Sequence, residues 1–158
     1  MAKKIQLPFS DFEPENAPDN KFVWSGNFTT NNKFFEGEIP VYIITNEQKV
    51  EEKTVRELEE IVLHIENYLQ KAIIFLKKTL TQDPVTYKIR TEELHYLKLN
   101  LGDFPVDFPE LTFWESDEEW CVRFAEGKFD ICDPYGIAVY FKERTAIRIE
   151  NLEDSESE

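Results

Sequence analysis

From Thr54 to Leu80 apolar residues recur every three or four positions, at Val55, Leu58, Val62, Ile65, Leu69, Ala72 and Leu76. That is the period of one helix face, and Ile61, Tyr68 and Phe75 widen the stripe. Thr54 followed three residues later by Glu57 matches a capping box at the start. Asp83-Pro84 stops the helix, because a residue before proline is pushed out of the helical region. The spacing predicts one helix over 54–80, roughly 40 Å long at about 1.5 Å per residue. A face this broad needs a sheet to lie on.

The rest of the chain carries strand patterns. Lys21 to Phe28 and Ile39 to Asn46 read as two strands joined at Asn31-Asn32. Val41-Tyr42-Ile43-Ile44 is apolar on both faces, so the second strand is expected to be central. After the helix, Leu111–Glu115, Glu119–Ala125, Lys128–Cys132, Ile137–Phe141 and Ala146–Ile149 read as short strands. Residues 85–101 fit two patterns: Val85, Tyr87 and Ile89 alternate as in a strand, whereas Thr91 to Leu99 suits a helical turn or another strand. The fold class is therefore α+β: an antiparallel sheet of about six or seven strands with one long helix packed across one face. Residues 1–158 form a single domain on this reading, with 1–20 an irregular arm rich in Pro, Asp, Glu and Asn. Residues 150–158, with five acids and no base, form a flexible acidic tail.

Turn chemistry gives an expected register. Gly accepts positive φ without steric cost, so Glu126-Gly127 suits a two-residue hairpin loop. That pairs Phe124 with Phe129, Arg123 with Asp130, Val122 with Ile131 and Cys121 with Cys132. A loop at Asp117-Glu118 pairs Leu111 with Phe124, Phe113 with Val122 and Trp114 with Cys121. Both loops put Leu111, Phe113, Val122, Phe124, Phe129 and Ile131 on the face toward the helix. Thr112, Trp114, Cys121, Arg123, Lys128, Asp130 and Cys132 fall on the other, with Arg123 opposite Asp130 a favourable cross-strand pair.

Charge changes the picture of what such a fold binds. Lys and Arg number 18 against 32 Asp and Glu, giving a formal net charge of −14. Nucleic-acid backbones and anionic membrane surfaces need basic patches, so neither is an expected partner; a basic protein is. No apolar run is long enough for a membrane span, and Pro8, Ser10 and Asp11 interrupt any signal-like start. With two cysteines, no disulfide scaffold is expected and the cytoplasm is the default location.

The sharpest asymmetry lies between Leu99 and Val122, where seven acids stand with no Lys or Arg: Asp103, Asp107, Glu110, Glu115, Asp117, Glu118 and Glu119. A solvated acidic rim is the bland reading, and a rim that meets a basic protein is the functional one. Trp114, an aromatic flanked by acids on the face away from the helix, suits an interface anchor, unless residues 85–108 fold over it. The candidate partner-binding set is Trp114, Glu115, Asp117, Glu118, Glu119, Arg123 and Asp130. Catalytic signals are weak. His64 and His95 have no zinc-like spacing to Cys or His, no nucleophile-elbow motif is present, the acids do not match a calcium loop, and all five glycines are isolated, so no phosphate loop exists. No cofactor is expected. Cys121 and Cys132 read as reduced packing cysteines rather than a redox pair.

Trp24-Ser25-Gly26 in a first strand, a second strand, one long helix, then a β-meander with Asp133-Pro134-Tyr135-Gly136 and an acidic end resemble small bacterial domain families, some thought to act as immunity proteins of polymorphic toxin systems. The resemblance covers most of the chain in layout. It implies an α+β fold without enzymatic activity and a protein partner that is neutralised; no functional residue carries over from it. The expected function is a non-enzymatic acidic protein-binding module. The alternatives are a small hydrolase-type enzyme with a site assembled from scattered residues, and a homodimeric structural or regulatory protein.

Overall fold

The computed structural model describes residues 5–7, 10–133 and 135–151. The strands are β1 (Ile5–Leu7), β2 (Ser10–Ala17), β3 (Lys21–Asn31), β4 (Glu36–Thr45), β5 (Val106–Trp114), β6 (Glu119–Gly127), β7 (Ile137–Lys142) and β8 (Thr145–Asn151), with helices α1 (Glu52–Leu63) and α2 (Ile65–Gln82) between β4 and β5. They form one eight-stranded sheet in chain order, β1-β2-β3-β4-β5-β6-β7-β8. The α+β expectation holds. All neighbours are antiparallel except β4 and β5, which run parallel with Val41 beside Leu111 and Ile43 beside Phe113. A parallel pair needs a long crossover connection, and the helices supply it. The apolar run Val41–Ile44 lies on β4, in the middle of the sheet as expected. The segment expected as an irregular arm contributes β1 and β2 instead, and Phe12 of β2 is fully buried. Asn151 ends β8, and the rest of the acidic tail lies outside the described residues.

One face of the sheet meets the helices. Ile39, Val41, Ile43, Leu111, Phe113, Trp120, Val122, Phe124, Val139 and Phe141 bury against Leu58, Ile61, Ile65, Leu69, Ala72 and Leu76. Stacked rings run across β5, β6 and β7: Phe113 on Trp120 at 5.5 Å and Trp120 on Phe141 at 4.3 Å. Tyr68 meets Trp120 edge-on from the helix side at 5.3 Å. The predicted stripe is therefore the buried one, but the helix is broken at His64 (φ −113°, ψ 32°). Neither Pro nor Gly sits there, and the stripe passes from Ile61 to Ile65 without losing register. A straight rod leaves a twisted sheet at its ends; the break lets both halves follow it. Tyr68 donates from its hydroxyl to Glu60 Oε2 at 2.7 Å, spanning the break. The helix also starts earlier than expected, with Glu51 as N-cap and no side-chain cap.

The β5–β6 register departs from expectation by two residues: Leu111 faces Val122, Phe113 faces Trp120 and Trp114 faces Glu119. The loop is not Asp117-Glu118 alone. Glu115–Asp117 form a 3-10 turn and Glu118 closes it in the left-handed region at φ 55°. A shift of two keeps every side chain on its face, so the inward set is unchanged. The Glu126-Gly127 hairpin is wrong. Both residues belong to β6, which pairs with β7, not with Lys128–Cys132: Arg123 faces Ala138 and Cys121 faces Tyr140. Gly127 serves close approach rather than positive φ, since a Cβ there would lie 2.7 Å from Cys132 Sγ.

Residues 130–132 form a 3-10 turn instead of a strand. Ile131 and Cys132 are both buried in this turn. The anchors are specific. Glu93, itself 2% exposed, accepts from the Asp130 N–H at 2.7 Å and from the Arg90 N–H at 2.9 Å. Phe129 packs on Phe104 and Tyr96. Residues 85–101 contain no strand; Thr91–Lys98 is a 3-10 helix. It lies toward α2, whose Lys77 donates to the Leu99 carbonyl at 2.7 Å. At the next turn, Gly136 sits at φ 83°, where a Cβ would clash with the Phe124 carbonyl oxygen, so only glycine fits. Among the described residues no helix is long and apolar enough to cross a membrane.

Candidate functional site

The β5–β6 turn and the start of α1 meet at one end of the sheet. Glu115 joins them: its Oε2 accepts from the Glu51 N–H at 2.9 Å and from the Thr54 hydroxyl at 2.7 Å. Thr54 thus bonds across the fold to Glu115, not to Glu57 in a capping box. A carboxylate at a helix start also suits the positive end of the helix dipole. The β7–β8 turn adds Glu143, held at φ 56°. Its carbonyl accepts from Trp120 Nε1 at 2.8 Å, which fixes that turn to the sheet.

These three elements enclose a cleft of about 270 Å³ lined by Glu51, Glu57, Glu115, Glu118, Glu119 and Glu143, with Phe113, Trp114 and Ser116 at its wall. Lys53 is the one cation in that lining, and its ammonium pairs with Glu118 at 3.4 Å. With Lys53 on Glu118 and Arg148 on Glu119 from outside, six carboxylates meet two cations and the space is left net negative. Glu57 registers it. Burial raises its pKa first, Glu143, Glu118 and Glu60 raise it further, and only Lys53 opposes them. An adjoining hollow of about 450 Å³, lined by Asn46, Glu47, Lys49, Glu51, Glu115 and Ser116, continues the acidic surface toward the β4–α1 connection.

Of the seven candidates read from sequence, Trp114, Glu115, Glu118 and Glu119 line this cleft. Their roles differ. Glu115 is the helix-capping partner described above. Glu119 accepts from Arg148 at 3.0 and 3.3 Å, a forked pair on the outer face. Trp114 lies on the outer face as expected and is half-buried; its ring stacks on Tyr140 at 5.5 Å, and the Arg148 guanidinium caps Tyr140 at 4.2 Å. The expected alternative, burial of Trp114 under residues 85–108, does not occur among the described residues. Glu118 holds only its exposed link to Lys53, and Asp117 is exposed on the same turn.

Arg123 and Asp130 do not join this site or each other. Arg123 donates to Glu110 Oε1 and to the Tyr135 carbonyl, both at 2.8 Å, which ties β6 to β5 and to the turn before β7. Asp130 is exposed on its 3-10 turn. Cys121 and Cys132 are not neighbours: both are reduced and buried, and burial pushes each thiol up to about 12. His95 is exposed beside Tyr96, while His64 stands at the helix break near Glu60 and Arg144. Among the described residues no group of three His, Cys, Asp or Glu is arranged to hold a metal ion.

Glu51, Lys53, Glu57 and Glu143 were missed as site residues. The run from Asp103 to Glu119 is contiguous and could be counted, but the helix start and the β7–β8 turn reach the cleft only through the fold. No protein-family model matches the sequence, and neither a curated protein nor a solved structure matches it.

Proposed function

We propose that this protein is a non-enzymatic binding module that holds a basic protein, taking a lysine or arginine side chain of that partner into the acidic cleft. The convergence of Glu51, Glu57, Glu115, Glu118, Glu119 and Glu143 from three elements carries this reading. A guanidinium there satisfies carboxylates that now repel one another, and Glu57 gives up its raised affinity for a proton. The net charge of −14 steers a basic partner toward the molecule and makes association salt-sensitive. Neutralisation of such a partner, in the manner of the immunity proteins the layout resembles, is the role this binding supports.

The test uses an arginine-rich peptide and two-dimensional NMR. Shift changes concentrated at Trp114, Glu118 and Glu143, lost at high salt and in D117K/E118K/E143K, support the cleft. Changes spread evenly over all acidic surfaces contradict it. Of the three substituted side chains only Glu118 holds a bond in the fold, its exposed link to Lys53, whereas Glu115 ties the start of α1 and Glu119 pairs with Arg148, and these two are left in place.

A second reading is favoured by Glu57 alone. A carboxyl with a raised pKa beside other carboxylates is the arrangement of a general acid and its partner. A hydrolase on this reading cleaves chromogenic ester, phosphodiester or glycoside substrates and loses that activity in E57Q. A wild-type protein inert toward all three removes it.

A further inference from the structure

At the other end of β5 and β6 lies a second, larger concavity of about 840 Å³. Its apolar wall comes from Phe34, Tyr96 and Phe104, and its rim carries Asp103, Asp107, Glu126 and Asp133. Two cations line it. The Arg123 guanidinium is taken up by Glu110 and the Tyr135 carbonyl, which leaves Lys128 against four carboxylates. Phe34 and Asp107 are shared with an adjoining hollow of about 380 Å³ that contains Phe35 and Phe108.

Phe108 is the unusual residue. It is 50% exposed, with its ring edge-on to Phe35 at 6.1 Å. Its backbone sits at φ 55°, a region that a bulky side chain rarely enters. Pro109 follows it, and a residue before proline is driven toward extended conformations, so the strain is compounded. The β5–β6 ladder skips Phe108 while keeping register on both sides, Asp107 with Glu126 and Pro109 with Phe124. The Asp107 carboxylate accepts from the Phe108 N–H at 2.8 Å. The conformation is held locally, and its result is an exposed aromatic ring in the hollow that adjoins the acid-rimmed groove, where Glu36 and Lys33 also line the wall. Strain kept where it exposes an apolar side chain points to a contact surface.

We propose that this groove is a docking site for an extended segment of the basic partner, one that carries an aromatic or large aliphatic side chain flanked by lysine and arginine. The apolar wall and Phe108 take the side chain, and the four rim carboxylates take the flanking charges. Complementarity selects this occupant over two others. The chain's own end beyond Asn151 carries Glu153, Asp154, Glu156 and Glu158, which the rim repels, and a second copy brings a further charge of −14. The inference rests on the reading that the partner is basic, but uses a separate surface: residues of β5 and β6 from this groove to the first cleft span roughly 25–30 Å at about 3.3 Å per residue.

The experiment measures fluorescence anisotropy of labelled peptides with a central Phe and Lys/Arg flanks, against versions with Asp/Glu flanks or a central Ser. The wild-type protein is expected to bind the first at least tenfold more tightly than either control. Phe108→Gly accepts the positive φ without strain, and Phe108→Asn tolerates it; both are expected to keep the wild-type melting temperature and lose binding tenfold or more. D117K/E118K/E143K, which alters the first cleft, is expected to keep the tenfold preference for the Phe-centred over the Ser-centred peptide even where both bind less tightly, which separates this groove from the first cleft. Equal binding of the three peptides, or full binding by both folded Phe108 variants, overturns the proposal. So does concentration-dependent dimerisation abolished by Phe108→Gly, which assigns the groove to a second copy.

Discussion

Glu93 and Tyr68 show how single polar groups hold this fold. The Glu93 carboxylate is almost fully buried and accepts one N–H from its own 3-10 helix and one from the Asp130 turn. Hydrogen bonds to a charged group contribute about 1.5–3 kcal/mol each, and a buried donor left without its acceptor costs about 1–3 kcal/mol. Glu93→Ala should therefore lower stability in urea by about 3 kcal/mol; a loss below about 0.5 kcal/mol would show that the clamp is dispensable. Tyr68→Phe removes only the bond across the helix break, and should cost about 1 kcal/mol in the same assay with the melting transition still cooperative. The cysteines make a third case. With both thiols buried and raised to about 12, a thiol reagent at pH 8 should label neither quickly in the native protein and both in denaturant. Rapid labelling of either would contradict their placement. At this scale the sequence was informative where a signal is local. The acids from Asp103 to Glu119 and the outward face of Trp114 could be read directly. Glu93 could not, because nothing near it in the chain reveals that Asp130 supplies its second donor.

Among the elements, the helix was legible because apolar residues three and four apart mean one thing in physical terms. Its break at His64 was not, since no Pro or Gly marks it and the stripe runs through unchanged. The strands were legible by alternation, and the errors arose at turns. Four residues rather than two link β5 to β6, a difference whose even number left the faces intact. The freedom of Gly to adopt positive φ makes Gly127 read as a turn residue, yet it is there to admit Cys132. That one misreading produced the wrong partners for both Arg123 and Cys121. Packing between helix and sheet sets the element-level prediction. Leu69 is fully buried in the stripe, so Leu69→Ala should destabilise by about 2–5 kcal/mol, read from the shift in the urea midpoint. A loss under about 1 kcal/mol would mean that α2 does not cover the sheet as described.

For the whole molecule, charge and protonation set the behaviour. Burial raises the pKa of Tyr42, Tyr68, Tyr140, Cys121 and Cys132. Above pH 9 or so the unfolded chain releases these protons while the folded chain keeps them. Their contribution is therefore complete below the unfolded values and is lost as pH climbs from about 9 toward about 12. The urea midpoint should fall between pH 8 and pH 10.5; a flat profile would contradict the burial of these groups. Glu57 acts at the acid side with the same sign. Its raised pKa means that its charge opposes folding at neutral pH, so E57Q should raise the melting temperature, and a basic partner should bind more tightly as pH rises through the titration of Glu57. The acidic surface was visible from composition, but its gathering into a cleft needed two turns and the start of α1 brought together by the fold. The most direct test of the acidic-binder account is capture from a lysate of the protein's own source, with tagged wild type and D117K/E118K/E143K compared at low and high salt. The account predicts a basic protein retained by wild type at low salt, shed at high salt and missed by the variant. An identical set of proteins on both, indifferent to salt, would contradict it.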